Sequence, residues 1–133
     1  MPFVLDASVA SAWAFEDEDH PIAAIAFERI QSDEAVVPAL WWFELRNALI
    51  VNERRRRLTE TQTERFLRLL ARFHLVEDRA PGEAAILGFA RLHRLTVYDA
   101  AYLELANREG LPLATLDNAL ASAAHAENVA LIS

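Results

Sequence analysis

Five short apolar runs punctuate the chain, each separated from the next by helical stretches, and none shows the polar alternation of a half-exposed strand. They are Phe3-Val4-Leu5, Ala35-Val36-Val37-Pro38, His74-Leu75-Val76-Glu77, Leu113-Ala114-Thr115 and Val129-Ala130-Leu131-Ile132. Continuous apolar strands alternating with helices imply a parallel sheet covered on both faces, an α/β architecture. The helical stretches run from Asp6-Ala7-Ser8 to Phe15, from Pro21 to Ile30, from Ala39 to Arg55 and from Thr59 to Phe73. Three more follow: one carries Ile86, Phe89, Ala90 and His93 on one side, one is opened by Asp99 and closed by Gly110, and one spans Asp117 to Glu127. A length of 133 residues corresponds to one domain, taken as residues 1–133.

Several chemistries are excluded by absence. With no cysteine, thiolate zinc sites and cysteine nucleophiles are out. All 13 basic residues are arginine, which rules out Schiff-base lysines. None of the three glycines lies in a phosphate-binding glycine motif. No run of apolar residues is long enough to span a membrane, and Met1-Pro2-Phe3-Val4-Leu5-Asp6 lacks the basic start of a signal peptide. The expected compartment is the cytoplasm.

Acidic residues fall where chemistry is done. Ligands of open α/β sheets bind beyond the carboxyl ends of the strands. Asp6 directly follows the first strand, and Asp117 follows the fourth by two residues. Asp99 stands at a helix start, and Glu44 is embedded in Leu40-Trp41-Trp42-Phe43-Glu44-Leu45. Each aspartate could serve simply as a helix cap, and Glu44 could pair with an arginine. Capping does not account for two aspartates at strand ends together with a glutamate among tryptophans. If the four converge, two carboxylates about 5 Å apart repel by roughly 3 kcal/mol at an effective dielectric of 20. A cation would relieve that repulsion, and an all-oxygen ligand set selects a hard ion, Mg²⁺ or Mn²⁺. Zinc fits poorly because His20, His74, His93 and His125 are scattered.

The net charge of −7 counts against a nucleic-acid partner, but setting the four candidate ligands aside leaves −3. The Arg54-Arg55-Arg56-Arg57 run supplies a basic edge that suits either a solvated helix end or a phosphate backbone. Glu16 to Asp19 reads as a solvated loop, and Trp13, Phe15, Trp41 and Trp42 as core or subunit interface.

These residues resemble the PIN-domain nucleases, and among them the toxin subunits of VapBC toxin–antitoxin pairs. Four segments carry the resemblance: Phe3-Val4-Leu5-Asp6-Ala7-Ser8, Trp42-Phe43-Glu44-Leu45-Arg46-Asn47-Ala48-Leu49, Thr96-Val97-Tyr98-Asp99-Ala100-Ala101-Tyr102 continuing to Ala106, and Leu113-Ala114-Thr115-Leu116-Asp117. The resemblance implies a three-layer α/β/α fold with a five-stranded parallel sheet of order 3-2-1-4-5. It implies that Asp6, Glu44, Asp99 and Asp117 bind one or two Mg²⁺ or Mn²⁺ ions and are the catalytic residues of an endoribonuclease cutting transfer or ribosomal RNA. Ser8 and Thr115 would supply supporting hydroxyls. A cognate antitoxin and a homodimer are the implied protein partners, and with no lysine present Arg46 and Arg54 to Arg57 are the candidates for holding RNA.

Two rival readings differ in class. Aspartate-based phosphotransfer domains also place acids at strand ends, yet they rely on a lysine this chain lacks. A non-catalytic interaction module would use the same acidic pocket to dock arginines of a partner.

Overall fold

A computed structural model describes all of residues 1–133. Strand β1 (Phe3–Leu5) leads into α1 (Ala7–Ala12) and α2 (Pro21–Ile30), and β2 (Ala35–Pro38) into α3 (Leu40–Arg54) and α4 (Glu60–Leu70). Then come β3 (Leu75–Asp78), α5 (Glu83–His93), α6 (Val97–Glu109), β4 (Leu113–Ala114) and α7 (Asn118–Ala126). The sheet is parallel throughout, with order β3-β2-β1-β4.

This order places the site. The chain steps outward from β1 to β3, then returns past β1 to β4. Right-handed crossovers turn that reversal into a change of face, so α1 packs with α2 and α3 while α6 packs with α5 and α7. The strand order reverses between β1 and β4, the switch point beyond whose strand ends open α/β sheets form their ligand crevice. The register Leu5↔Ala114 sets Asp6 beside Thr115, and the Asp6 amide donates to the Ala114 carbonyl at 3.0 Å.

Local chemistry explains most boundaries. Thr59 accepts from the Gln62 amide while the Gln62 side chain accepts from the Thr59 amide, a capping box that starts α4. Gly110, at φ 64°, ends α6 in the left-handed conformation that a glycine adopts without strain. The core is one cluster built on β1, whose Phe3, Val4 and Leu5 are wholly buried, with Leu45 and Leu49 of α3 and Leu103 and Leu105 of α6.

Three expectations need correction. The sheet has four strands, not five: the segment from Val129 to Ile132 makes only the single parallel bridge Leu113↔Leu131. Strand β4 is two residues long, so little edge remains for a neighbour to pair with. The first helix stops at Ala12, and the chain continues to Phe15 as turns. Helix α6 starts before Asp99, because the Thr96 hydroxyl takes the cap by accepting from the Asp99 amide at 3.1 Å.

Candidate active site

Four carboxylates approach one another at the crevice between β1 and β4. Asp6 is buried, 5% exposed, at the exit of β1. Its Oδ2 accepts from two hydroxyls at 2.7 Å each, Ser8 in the first turn of α1 and Thr115 just past β4. Ser8 Oγ in turn accepts from the Leu116 amide at 3.0 Å, and Thr115 Oγ1 from the Asp117 amide at 3.0 Å. Two hydroxyls therefore staple the β4–α7 turn to the end of β1.

Asp6 forms no side-chain cap on α1. Asp117, by contrast, is a helix cap: its Oδ1 accepts from the Leu120 amide at 2.8 Å, fixing the carboxylate at the start of α7. Asp99 lies in the first turn of α6, half-buried. Glu44 lies on α3, and its partner is Tyr102 of α6 rather than an arginine: the phenol donates to Oε1 at 2.6 Å.

The electrostatics tie the four together. The carboxyls of Asp6, Glu44 and Asp99 are all held above their ordinary values, chiefly by burial. Like charge adds to this: Asp117 acts on Asp6, Asp6 and Asp99 act on Glu44, and Asp117 and Asp6 act on Asp99. Only hydrogen bonds oppose the rise, and no arginine contributes. The Tyr102 hydroxyl is held strongly protonated by burial and by its bond to Glu44. An acidic crevice with no internal cation and only oxygen donors has the chemistry of a hard divalent-ion site. As the side chains stand, no three His, Asp or Glu residues are drawn to metal-ligand spacing. The acids are thus gathered within range of mutual repulsion, short of a closed cage. Their donor set fits Mg²⁺ or Mn²⁺.

The candidate RNA-holding arginines behave differently from one another. Arg46 stacks on the Trp42 ring at 3.8 Å and donates to the Trp42 carbonyl, with burial pushing its pKa down. Arg54 ends α3, and Arg55 and Arg56 follow it; all three are exposed and without ion pairs. Arg57 is engaged: it pairs with Glu18 at 3.1 Å and lies over the Phe15 ring at 4.2 Å. The Glu16 to Asp19 loop is accordingly tied down in part. Trp41 is buried, whereas Trp42 and Phe43 are exposed and stack edge to face at 5.0 Å.

Sequence reasoning gave Tyr102 no role. A signal was present, since Tyr102 falls three residues after Asp99 and so on the same face of α6.

The comparisons with known proteins agree on the fold. A protein from Pyrobaculum aerophilum, PAE2754, has a crystal structure similar to this chain at a TM-score of 0.69 and 28% identity, over 92% of this chain and 87% of that one. FitAcB from Neisseria gonorrhoeae is similar at a TM-score of 0.66 and 18% identity, over 100% of this chain and 97% of that one. No curated protein matches in sequence. The PIN domain profile matches residues 3–126, from β1 to the end of α7, and the chain belongs to the PIN domain family.

Proposed function

We propose that the protein is a divalent-metal-dependent endoribonuclease that cuts transfer or ribosomal RNA, acts in the cytoplasm as a toxin and is held in check by a small antitoxin. The observation that carries the reading is the crevice itself, where Asp6, Glu44, Asp99 and Asp117 crowd one another with no arginine to neutralise them. Membership of the PIN family, typically nucleases, supports it.

In this reading Asp6, Glu44 and Asp99 hold the ion, with Asp117 completing the pocket. Mg²⁺ or Mn²⁺ there makes water more acidic and offsets charge developing at the scissile phosphate. Ser8 and Thr115 keep Asp6 turned into the crevice, and Tyr102 does the same for Glu44. Hydrolysis in line by water leaves 5′-phosphate and 3′-hydroxyl ends. The exposed Trp42–Phe43 pair gives a protein partner, a second copy or the antitoxin, an apolar patch beside Glu44 to cover.

The test is induction of the wild type beside Asp99→Asn, with new RNA 5′ ends mapped and their chemistry determined. Cuts made only by the wild type, bearing 5′-phosphates, support the proposal. Cuts common to both proteins, or products with 2′,3′-cyclic phosphates, reject it. Failure of the free chain to bind Mn²⁺ by calorimetry would favour a docking module for a partner's arginines instead.

A further inference from the structure

A nuclease with an acidic crevice must hold its polyanionic substrate elsewhere, since the crevice carboxylates repel phosphate and the whole chain carries −7. Helix α4 offers such a surface. Arg65 and Arg68 lie on it, and Arg72 follows in the turn that continues its winding. The spacing of three and four residues puts all three on one side of the helix, over a span of about 10 Å. They line a single cleft of about 740 Å³ together with Trp13 and Phe15, in the turns just past α1. All three are exposed, and none has a carboxylate within ion-pairing distance. The cleft's acids do not neutralise them: Asp17 faces Arg57, and Glu16 reaches none of the three.

Exposed guanidinium groups on a rigid helix, without partners, suit phosphate oxygens, which they bind through paired N–H donors. Helix α1 connects this surface to the crevice. Asp6 precedes it and Trp13 follows it, and its six residues span about 9 Å. We infer that Arg65, Arg68 and Arg72 form a binding surface for the RNA backbone away from the scissile phosphate, with Arg57 serving to brace the cleft wall through Phe15 and Glu18. The inference rests on the nuclease reading for the identity of the polymer. Its grip on phosphate is independent of turnover.

The experiment measures anisotropy of a labelled, unstructured 20-nucleotide RNA bound to the full chain in EDTA, across a salt series. Arg65→Gln, Arg68→Gln and Arg72→Gln together should weaken binding at least tenfold. The slope of log affinity against log salt should shrink by about 2, at roughly 0.7 per lost phosphate contact on a single strand. Because the three positions are exposed, the melting temperature should stay within a few degrees. If the triple variant does not fold, Arg68→Gln alone should reduce the slope by about 0.7. An unchanged affinity and slope would overturn the inference, as would a polyglutamate of equal length binding more tightly than RNA through the same arginines, which would mark the cleft as a site for an acidic protein segment. Identical RNA cuts by wild type and Asp99→Asn would sink the nuclease reading while leaving an arginine-dependent salt slope intact, so the two failures can be told apart.

Discussion

The Tyr102 hydroxyl stands between two chain segments far apart in sequence, donating to Glu44 Oε1 at 2.6 Å and accepting from the Ala7 amide at 3.4 Å. One oxygen thereby joins α6 to α3 and to the first turn of α1, beside Asp6. Since Tyr102 is wholly buried, its ring packs the core while its hydroxyl serves the crevice. Replacing Tyr102 with Phe keeps the ring and removes the link. The Ala7 amide loses a partner, and a loss of about 1–3 kcal/mol is expected in urea unfolding. Activity should drop by about tenfold or more, the range typical for groups that orient metal ligands. Full activity in a destabilised Tyr102→Phe variant would reduce the residue to a packing role.

Asp99 should destabilise the metal-free protein. Its carboxyl, ordinarily near 3.8, is raised in the fold by burial and by Asp117 and Asp6. A raised acid pKa means the native state holds its proton more tightly than the unfolded chain. Stability is therefore greatest below the unfolded value and is lost as pH climbs through the folded one. Asp99→Asn escapes this loss. In EDTA its melting temperature should equal the wild type's near pH 3.5 and exceed it at pH 7, the gap opening as pH climbs through the folded-state value. A gap that stays constant with pH would mean that charge crowding is not its source.

Divalent ions should reverse that order. A ligand at a hundred times its dissociation constant stabilises the native state by about 2.7 kcal/mol. Mn²⁺ should accordingly raise the melting temperature of the wild type at pH 7, while Asp99→Asn shows a much smaller rise. Equal shifts in both proteins would place the ion somewhere other than this crevice.

Thr115→Val tests the staple. Valine keeps the shape of threonine but removes the donor to Asp6 Oδ2 and the acceptor for the Asp117 amide. The Asp6 carboxyl, already raised, loses the strongest bond opposing the rise. Metal affinity or cleavage should fall about 10- to 100-fold. Ser8→Ala, which removes the other hydroxyl, should act in the same direction.

Asp6 and Asp117 were legible because strand ends declare themselves: an apolar run that stops at or just before an aspartate marks the ligand-binding edge of a parallel sheet. Glu44 and Asp99 lie on helices and stood out by their setting, a glutamate among tryptophans and an aspartate at a helix start. Strand order and helix layers followed the resemblance. What did not follow has separate physical causes. Thr96 rather than Asp99 caps α6, because the Thr96 hydroxyl accepts from the Asp99 amide and so starts the helix three residues earlier. The fifth strand fails because β4 presents only two residues, a length that its apolar run of three did not disclose. Glu44 finds Tyr102, 58 residues away, and no local spacing predicts such a pairing.

Arg108 supplies the last prediction, at a site away from the crevice. Its Nε donates to Glu104 Oε1 at 2.8 Å, and its Nη2 to Asp78 Oδ2 at 2.7 Å, tying α6 to the end of β3. The Glu104 side chain is only 4% exposed, and its Oε1 also accepts from the Gly82 amide at 3.2 Å. Removing the cation leaves a buried carboxylate that keeps one amide donor, and breaking such a pair costs about 3–5 kcal/mol. Water reaches the outer side of Arg108, which is 30% exposed, so Arg108→Gln should fall near the lower figure. Glu104→Gln combined with Arg108→Gln should recover most of the loss, since no buried charge is then stranded. The double-mutant cycle in urea should therefore show strong coupling. Additive losses would mean that each residue acts by packing alone.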